Sequence, residues 1–232
     1  MIELYKNPVW ILSGPRTGSS FISSVLNETK IFDPVFNECF HDDWIKEIFS
    51  DVKLLSPFNY NWPKFAKVHE AHFEKIQKMF PSLNIKEVIP DLKFIHLRRK
   101  NLIKQTISEF FANKTNIYII KNKKKLNKYK ELKVDYDEKI MLHYYKKAII
   151  RFNSWEPLLI KENHIDIFYE ELIDNPKETF LKIFNFLEII PPNNLNIKST
   201  LIQYHPLKEE YEKKFTDFLI KNNHIIFNNM KK

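Results

Sequence analysis

Two glycines, Gly14 and Gly18, are all that this 232-residue chain contains, and both fall in Ser13-Gly14-Pro15-Arg16-Thr17-Gly18-Ser19-Ser20. Glycine lets a backbone take positive φ or approach a ligand closely, so its confinement to one short stretch marks a turn of special conformation. Arginine is nearly as scarce: Arg16, Arg98, Arg99 and Arg151 stand among 33 lysines. A forked guanidinium inside a glycine-bracketed turn suits bidentate contact with an oxyanion. Hydroxyls at Thr17, Ser19 and Ser20, with the unpaired N–H groups of a helix start, would complete a site for phosphate or sulfate. The plainer alternative is an ordinary strand-to-helix turn.

Such a site needs a strand to feed the turn and a helix to leave it. Pro8-Val9-Trp10-Ile11-Leu12-Ser13 is a short apolar run ending in turn residues, which predicts a buried strand. Phe21, Ile22, Val25 and Leu26 then follow at helical spacing behind serines suited to a helix start. Further on, Phe65–His69 predicts a second strand and Glu70 to about Phe80 a helix. Asp91–Arg98 predicts a third strand, running through Arg99-Lys100-Asn101 into a helix from Leu102 to about Ala112. Asp137 to Glu162 reads as one long helix with Met141, Tyr145, Ala148, Phe152 and Trp155 on a buried face. Ile165–Tyr169 reads as a strand, Pro176–Leu187 as a helix opened by its proline, and Lys208 to Asn222 as a last helix. Ile31 to Pro63 reads as surface loops with one short helix. The lysine and asparagine tract Lys121–Lys133 reads as a mobile loop, part of a lysine-rich insertion around residues 114–135. This alternation predicts a single three-layer α/β domain over residues 1–232, with a mostly parallel central sheet flanked by helices.

Composition narrows the partners. The 37 basic and 29 acidic residues leave a net charge of +8, which favours anionic partners, although a solvated lysine surface explains it equally. No run of 18 apolar residues occurs, so no membrane-spanning helix is expected. The opening Met1-Ile2-Glu3-Leu4-Tyr5-Lys6 does not read as a signal peptide, which points to the cytoplasm. Cys39 is the only cysteine, so neither an internal disulfide nor a cysteine-based zinc site is expected.

The anion can be narrowed by pattern. An ATP-binding P-loop would read G-x-x-x-x-G-K-[ST]. Here only three residues separate the glycines, Ser19 stands where the lysine would be, and no clear acidic strand end offers a magnesium ligand. Pro15-Arg16-Thr17-Gly18-Ser19-Ser20 resembles the 5′-phosphosulfate loop of sulfotransferases that use 3′-phosphoadenylyl sulfate (PAPS), nearest to the P-R-x-G-[ST]-[ST] form of bacterial and carbohydrate-directed branches. Phe94-Ile95-His96-Leu97-Arg98-Arg99-Lys100-Asn101-Leu102-Ile103-Lys104-Gln105-Thr106-Ile107-Ser108 resembles the family's 3′-phosphate motif, a strand ending in arginine and a helix bearing a serine. Phe168-Tyr169-Glu170-Glu171-Leu172-Ile173-Asp174-Asn175-Pro176 resembles its Y-E-D-L-x-x-x-P stretch, and Gln203 to Phe218 its late nucleotide-covering segment. The first three motifs occur in the family's order.

The resemblance implies a P-loop-like sulfotransferase fold and an enzyme that needs no metal. It would move a sulfuryl group from PAPS to a hydroxyl or amine of a small-molecule or oligosaccharide acceptor, leaving 3′-phosphoadenosine 5′-phosphate. It assigns Arg16 to catalysis and Arg16, Thr17, Gly18, Ser19 and Ser20 to the phosphosulfate end. Arg99 and Ser108 would hold the 3′ phosphate, and Tyr169 would lie near the nucleotide. Arg98 and Lys100 compete with Arg99, because the step to Ser108 is one residue longer than the usual spacing. The general base would be Glu38, in Phe36-Asn37-Glu38-Cys39-Phe40, which resembles the G-E-x-F glutamate of carbohydrate sulfotransferases with Asn37 in place of glycine. His41, Asp42, Asp43 and His69 are substitutes, whereas His96, on an apolar strand, reads as a core residue. Phe58, Tyr60 and Trp62 would stack on an acceptor or fill the core. Alternatives are a P-loop nucleotide kinase or NTPase, a non-catalytic 3′-phosphoadenosine-binding module, and a nucleic-acid binder using Lys121–Lys133, although no specific nucleic-acid partner is expected.

Overall fold

A computed structural model of the chain describes residues 7–30, 65–79, 84–120, 122–160, 162–192, 197 and 205–224. In chain order its elements are β1 (Val9–Ser13), α1 (Ser19–Glu28), β2 (Phe65–His69), α2 (Glu70–Met79), α3 (Ile85–Val88), β3 (Lys93–Arg98), α4 (Leu102–Thr115), α5 (Lys123–Lys130), α6 (Glu138–Asn153), α7 (Glu156–Leu159), β4 (His164–Phe168), α8 (Tyr169–Asp174), α9 (Pro176–Leu187) and α10 (Leu207–Lys221). They divide into two compact units, one of Met1–Arg98 with Ser154–Ile197, the other of Arg99–Asn153 with Lys198–Lys232.

The first unit is built on a parallel sheet in the order β2-β1-β3-β4. Every residue of β1 is buried, as an interior parallel strand covered on both faces requires. Val9, Ile11, Phe65, Ile95, Leu97 and Ile167 face one side, where Phe21, Ile22, Val25 and Leu26 of α1 and Phe180, Ile183, Phe184 and Leu187 of α9 close over them. Burying each such side chain contributes about 1.5–3 kcal/mol. The alternate residues Trp10, Ala66, Val68, Phe94 and His96 are buried on the other face, with Trp10 and Phe94 edge to face at 6.4 Å. This is the expected α/β architecture with its parallel sheet. From β1 the chain moves outward to β2, then crosses to β3 on the far side. Ligands of such sheets bind where this reversal opens a crevice, here at the carboxyl ends of β1 and β3.

The second unit is helical. Phe110 and Phe111 of α4, Met141, Tyr145 and Ala148 of α6, and Tyr211, Phe215 and Leu219 of α10 share its core. Arg151 on α6 donates from one guanidinium nitrogen to both oxygens of the buried Glu109 carboxylate at 3.1 Å, tying α6 to α4.

Two expectations are corrected. The lysine tract is helical over Lys123–Lys130 rather than a loop: Tyr129 is fully buried, and Asn122 caps the helix by accepting from the Lys125 N–H at 2.9 Å. One aromatic anchor with Leu126 one turn before it fixes the helix, and that thin apolar stripe is easily lost among lysines. The long helix expected to Glu162 stops at Asn153, because Pro157 cannot donate within a continuing helix and instead opens the separate short α7.

Candidate active site

The turn between β1 and α1 has an unusual backbone. Arg16 has φ 64° and Gly18 has φ 95°, both in the left-handed region. The Thr17 hydroxyl donates to the Gly14 carbonyl at 2.9 Å and closes the turn. Gly18 occupies the cap position of α1 without a side chain to satisfy the first amides, and the first turn holds no acid. The amides of Ser19 and Ser20 therefore combine with the positive end of the helix to favour an anion. Gly18 is needed twice over. A Cβ there would lie 2.9 Å from Cδ2 of Tyr169 and 3.5 Å from Cδ1 of Leu172, at a φ that side chains resist.

The neighbouring strand β2 adds two groups. Lys67 pairs in register with Ile11, is buried, and brings Nζ to 3.5 Å from the Ser20 hydroxyl. His69, at the end of β2, has Nδ1 2.9 Å from the Ser13 carbonyl. A carbonyl only accepts, so Nδ1 carries the hydrogen and the neutral ring keeps its lone pair on Nε2.

The carboxyl ends of β3 and β4 hold a second polar cluster. Asp166 Oδ1 accepts from His96 Nδ1 at 2.8 Å and from Arg98 Nη2 at 2.9 Å. Arg98 also lies 3.6 Å from Glu156 and sits over the Phe168 ring at 5.2 Å. His96 is 1 % exposed, and its Nε2 has no hydrogen-bond partner among the described residues. Burial, then the Arg98 charge, pushes this imidazole down to about 4 against the pull of Asp166. His96 is thus a neutral hydrogen-bond donor to Asp166, a core residue as expected.

Of the residues singled out from sequence, Arg16, Thr17, Gly18, Ser19 and Ser20 form the turn, and Tyr169 packs on Gly18 from the start of α8. Arg99 and Ser108 belong to the second unit, Arg99 half-buried at its beginning and Ser108 buried on α4, while Lys100 is exposed. Glu38, His41, Asp42, Asp43, Cys39, Phe58, Tyr60 and Trp62 lie outside the described residues. Lys67 and Asp166 were missed. A lysine inside the apolar run Phe65-Ala66-Lys67-Val68 was the available signal, since a charge on a buried strand needs a partner.

The model of the sulfotransferase family matches residues 62–191, more than half of the chain. The chain belongs to the sulfotransferase family. In this sulfotransferase the matched span takes in Lys67, His69, Arg98, Arg99, Ser108 and Tyr169 and begins after the glycine turn. The kinase alternative falls with this assignment. Among solved structures, the sulfotransferase is similar to the sulfotransferase domain from the curacin biosynthetic pathway, with 13 % identity, TM-score 0.44, and 99 % of this chain and 95 % of that one covered. It is also similar to the sulfotransferase domain of the Synechococcus PCC 7002 olefin synthase, at 12 % identity and TM-score 0.39, with 97 % of each chain covered. Sulfotransferase STF9 from Mycobacterium avium is a third, at 14 % identity and TM-score 0.43, covering 97 % of this chain and 69 % of that one. A search of the curated proteins found no match. No helix among the described residues is long and apolar enough to cross a membrane.

Proposed function

We propose that this enzyme transfers a sulfuryl group from PAPS to a hydroxyl or amine of an acceptor, a carbohydrate or other small metabolite, and releases 3′-phosphoadenosine 5′-phosphate. The observation that carries the reading is the convergence of Arg16, the Ser19 and Ser20 amides, Lys67 and His69 on the turn after β1. The phosphosulfate end of the donor has the charge that such a helix start accepts. Arg16, Thr17, Gly18, Ser19 and Ser20 take that end, with Tyr169 beside them. Arg99 and Ser108 take the 3′ phosphate. Arg98 is set aside because Asp166, Glu156 and the Phe168 ring already engage its guanidinium.

In the transfer the acceptor oxygen attacks sulfur in line, its proton passes to His69 Nε2, and the bond from sulfur to the donor's phosphate oxygen breaks. The Nδ1–H bond to the Ser13 carbonyl fixes the tautomer that this role requires. Negative charge grows on the departing phosphate oxygen, where Arg16, Lys67 and the helix-start amides stabilise it. An ammonium as buried as Lys67 acts more strongly there than one in water, since less solvent screens it. Glu38 remains the second candidate base, through its resemblance to the G-E-x-F glutamate. His69 is preferred because its bond to Ser13 roots it at the end of β1.

Thermal denaturation with 3′-phosphoadenosine 5′-phosphate, ATP and ADP tests the donor. Selective stabilisation by the bisphosphate, near 2.7 kcal/mol at a hundredfold excess over Kd, is expected. Equal stabilisation by ATP would overturn the donor assignment. His69→Asn should then lower kcat by about 10²–10⁴-fold with bisphosphate affinity intact. If Glu38→Gln causes that loss instead, the base is Glu38.

A further inference from the structure

The second unit carries a surface that sulfuryl transfer leaves unexplained. Between Lys121 and Lys133 the chain holds seven lysines and one acid, Glu131, far denser in lysine than the 33 in 232 residues overall. Five of them, Lys123, Lys124, Lys125, Lys128 and Lys130, are exposed on α5. The two apolar residues of that helix turn inward, Tyr129 fully buried and Leu126 packed against the unit's core. Ile120, just before the helix, is buried in the same core, so the lysines are displayed on an element anchored from both sides. Three of them occupy the first helical turn, where the macrodipole disfavours cations, and no acid compensates there. A run of lysines at the unfavourable helix end is costly unless an anion meets it.

Immediately before this helix Tyr118 and Ile119 are 48 % and 43 % exposed. Tyr118, whose hydroxyl donates to Asn113 Oδ1 at 3.0 Å, and Ile119 precede the lysines in the chain and with them supply the two signals of peripheral membrane attachment, cations for headgroups and apolar bulk for the interface. We propose that the segment from Tyr118 to Lys130 docks on an anionic lipid surface, with the α5 lysines on headgroups and Tyr118 and Ile119 in the interfacial layer. A nucleic acid would use the lysines but leave Ile119 without a role. None of these residues belongs to the transfer site, so the proposal stands or falls separately from the enzymatic reading.

Sedimentation of the full chain with vesicles tests it, using phosphatidylcholine alone and equal parts phosphatidylcholine and phosphatidylserine. The protein should sediment with the mixed vesicles only, and less so as salt rises. The combined variant Lys123→Gln, Lys124→Gln, Lys125→Gln should weaken binding on the order of a hundredfold, from about fivefold per lysine. The pair Tyr118→Ser, Ile119→Ser should weaken it with the salt dependence unchanged. An unaltered melting temperature certifies each variant as folded, and the salt titration of the unmodified chain stands whatever the variants do. No sedimentation with the mixed vesicles, undiminished binding by the lysine variant, or an undiminished Tyr118/Ile119 pair with displacement by a short DNA duplex would each overturn the proposal.

Discussion

Arg16 holds a left-handed backbone conformation that a side-chain-bearing residue adopts at a cost of about 1–3 kcal/mol. Arg16 thus stands inside a tight turn, and Lys67 reaches the start of the helix that follows it, with Nζ 3.5 Å from the Ser20 hydroxyl. On the other face of the sheet the chemistry of His96 is opposite in sense: its imidazole is kept neutral. Its folded-state value of about 4 lies below the usual 6.5, so between those values the unfolded chain binds more protons than the native one. Its contribution is therefore complete above about pH 6.5 and lost as pH falls toward 4, amounting to roughly 3 kcal/mol as an upper bound. Melting temperatures recorded from pH 7 to 4 should fall more steeply for the native sequence than for His96→Leu. Parallel curves would show that His96 takes up its proton as readily in the folded state as in the unfolded one.

At the scale of elements, the join between β1 and α1 is locked to the start of α8 by a missing side chain. Gly18→Ala should cost about 1–3 kcal/mol from its φ alone, with displacement of the Tyr169 ring added to that. For a chain of this size this lowers the melting temperature by about 2–4 °C per kcal/mol. An unchanged melting temperature would mean that the turn relaxes freely. The strands, α1 and α9 were legible in the sequence because short apolar runs end in glycine, proline or charged residues, and periodicity changes at those points. Pro176 even marked the first residue of α9. The helix α5 was hidden, since its stability comes from Tyr129 meeting residues far along the chain, His205 among them at 5.2 Å. The turn itself was legible from its two glycines and rare arginine. The reach of Lys67 to Ser20 was not, because it depends on strand pairing that local pattern does not encode.

At the scale of the molecule, the first unit is discontinuous in the chain, with Arg99–Asn153 between β3 and the segment that supplies β4, α8 and α9. On the ribosome, β3 emerges with its Asp166-bearing neighbour still unmade, and its open edge must wait for the whole intervening segment. Parallel pairing across so long a separation is slow. A chain released after Asn153 should therefore be recovered in aggregates, whereas one released after Pro192 or later, once α9 can cap the sheet, should gain solubility. Pulse-labelled translation with solubility read at each length measures this. If the Asn153 product stays soluble, the sheet does not depend on its last strand. The late-arriving segment thus delivers both the carboxylate that restrains Arg98 and the ring that leans on Gly18, so nascent chains gain a finished anion cradle only once residues 166–172 have been made.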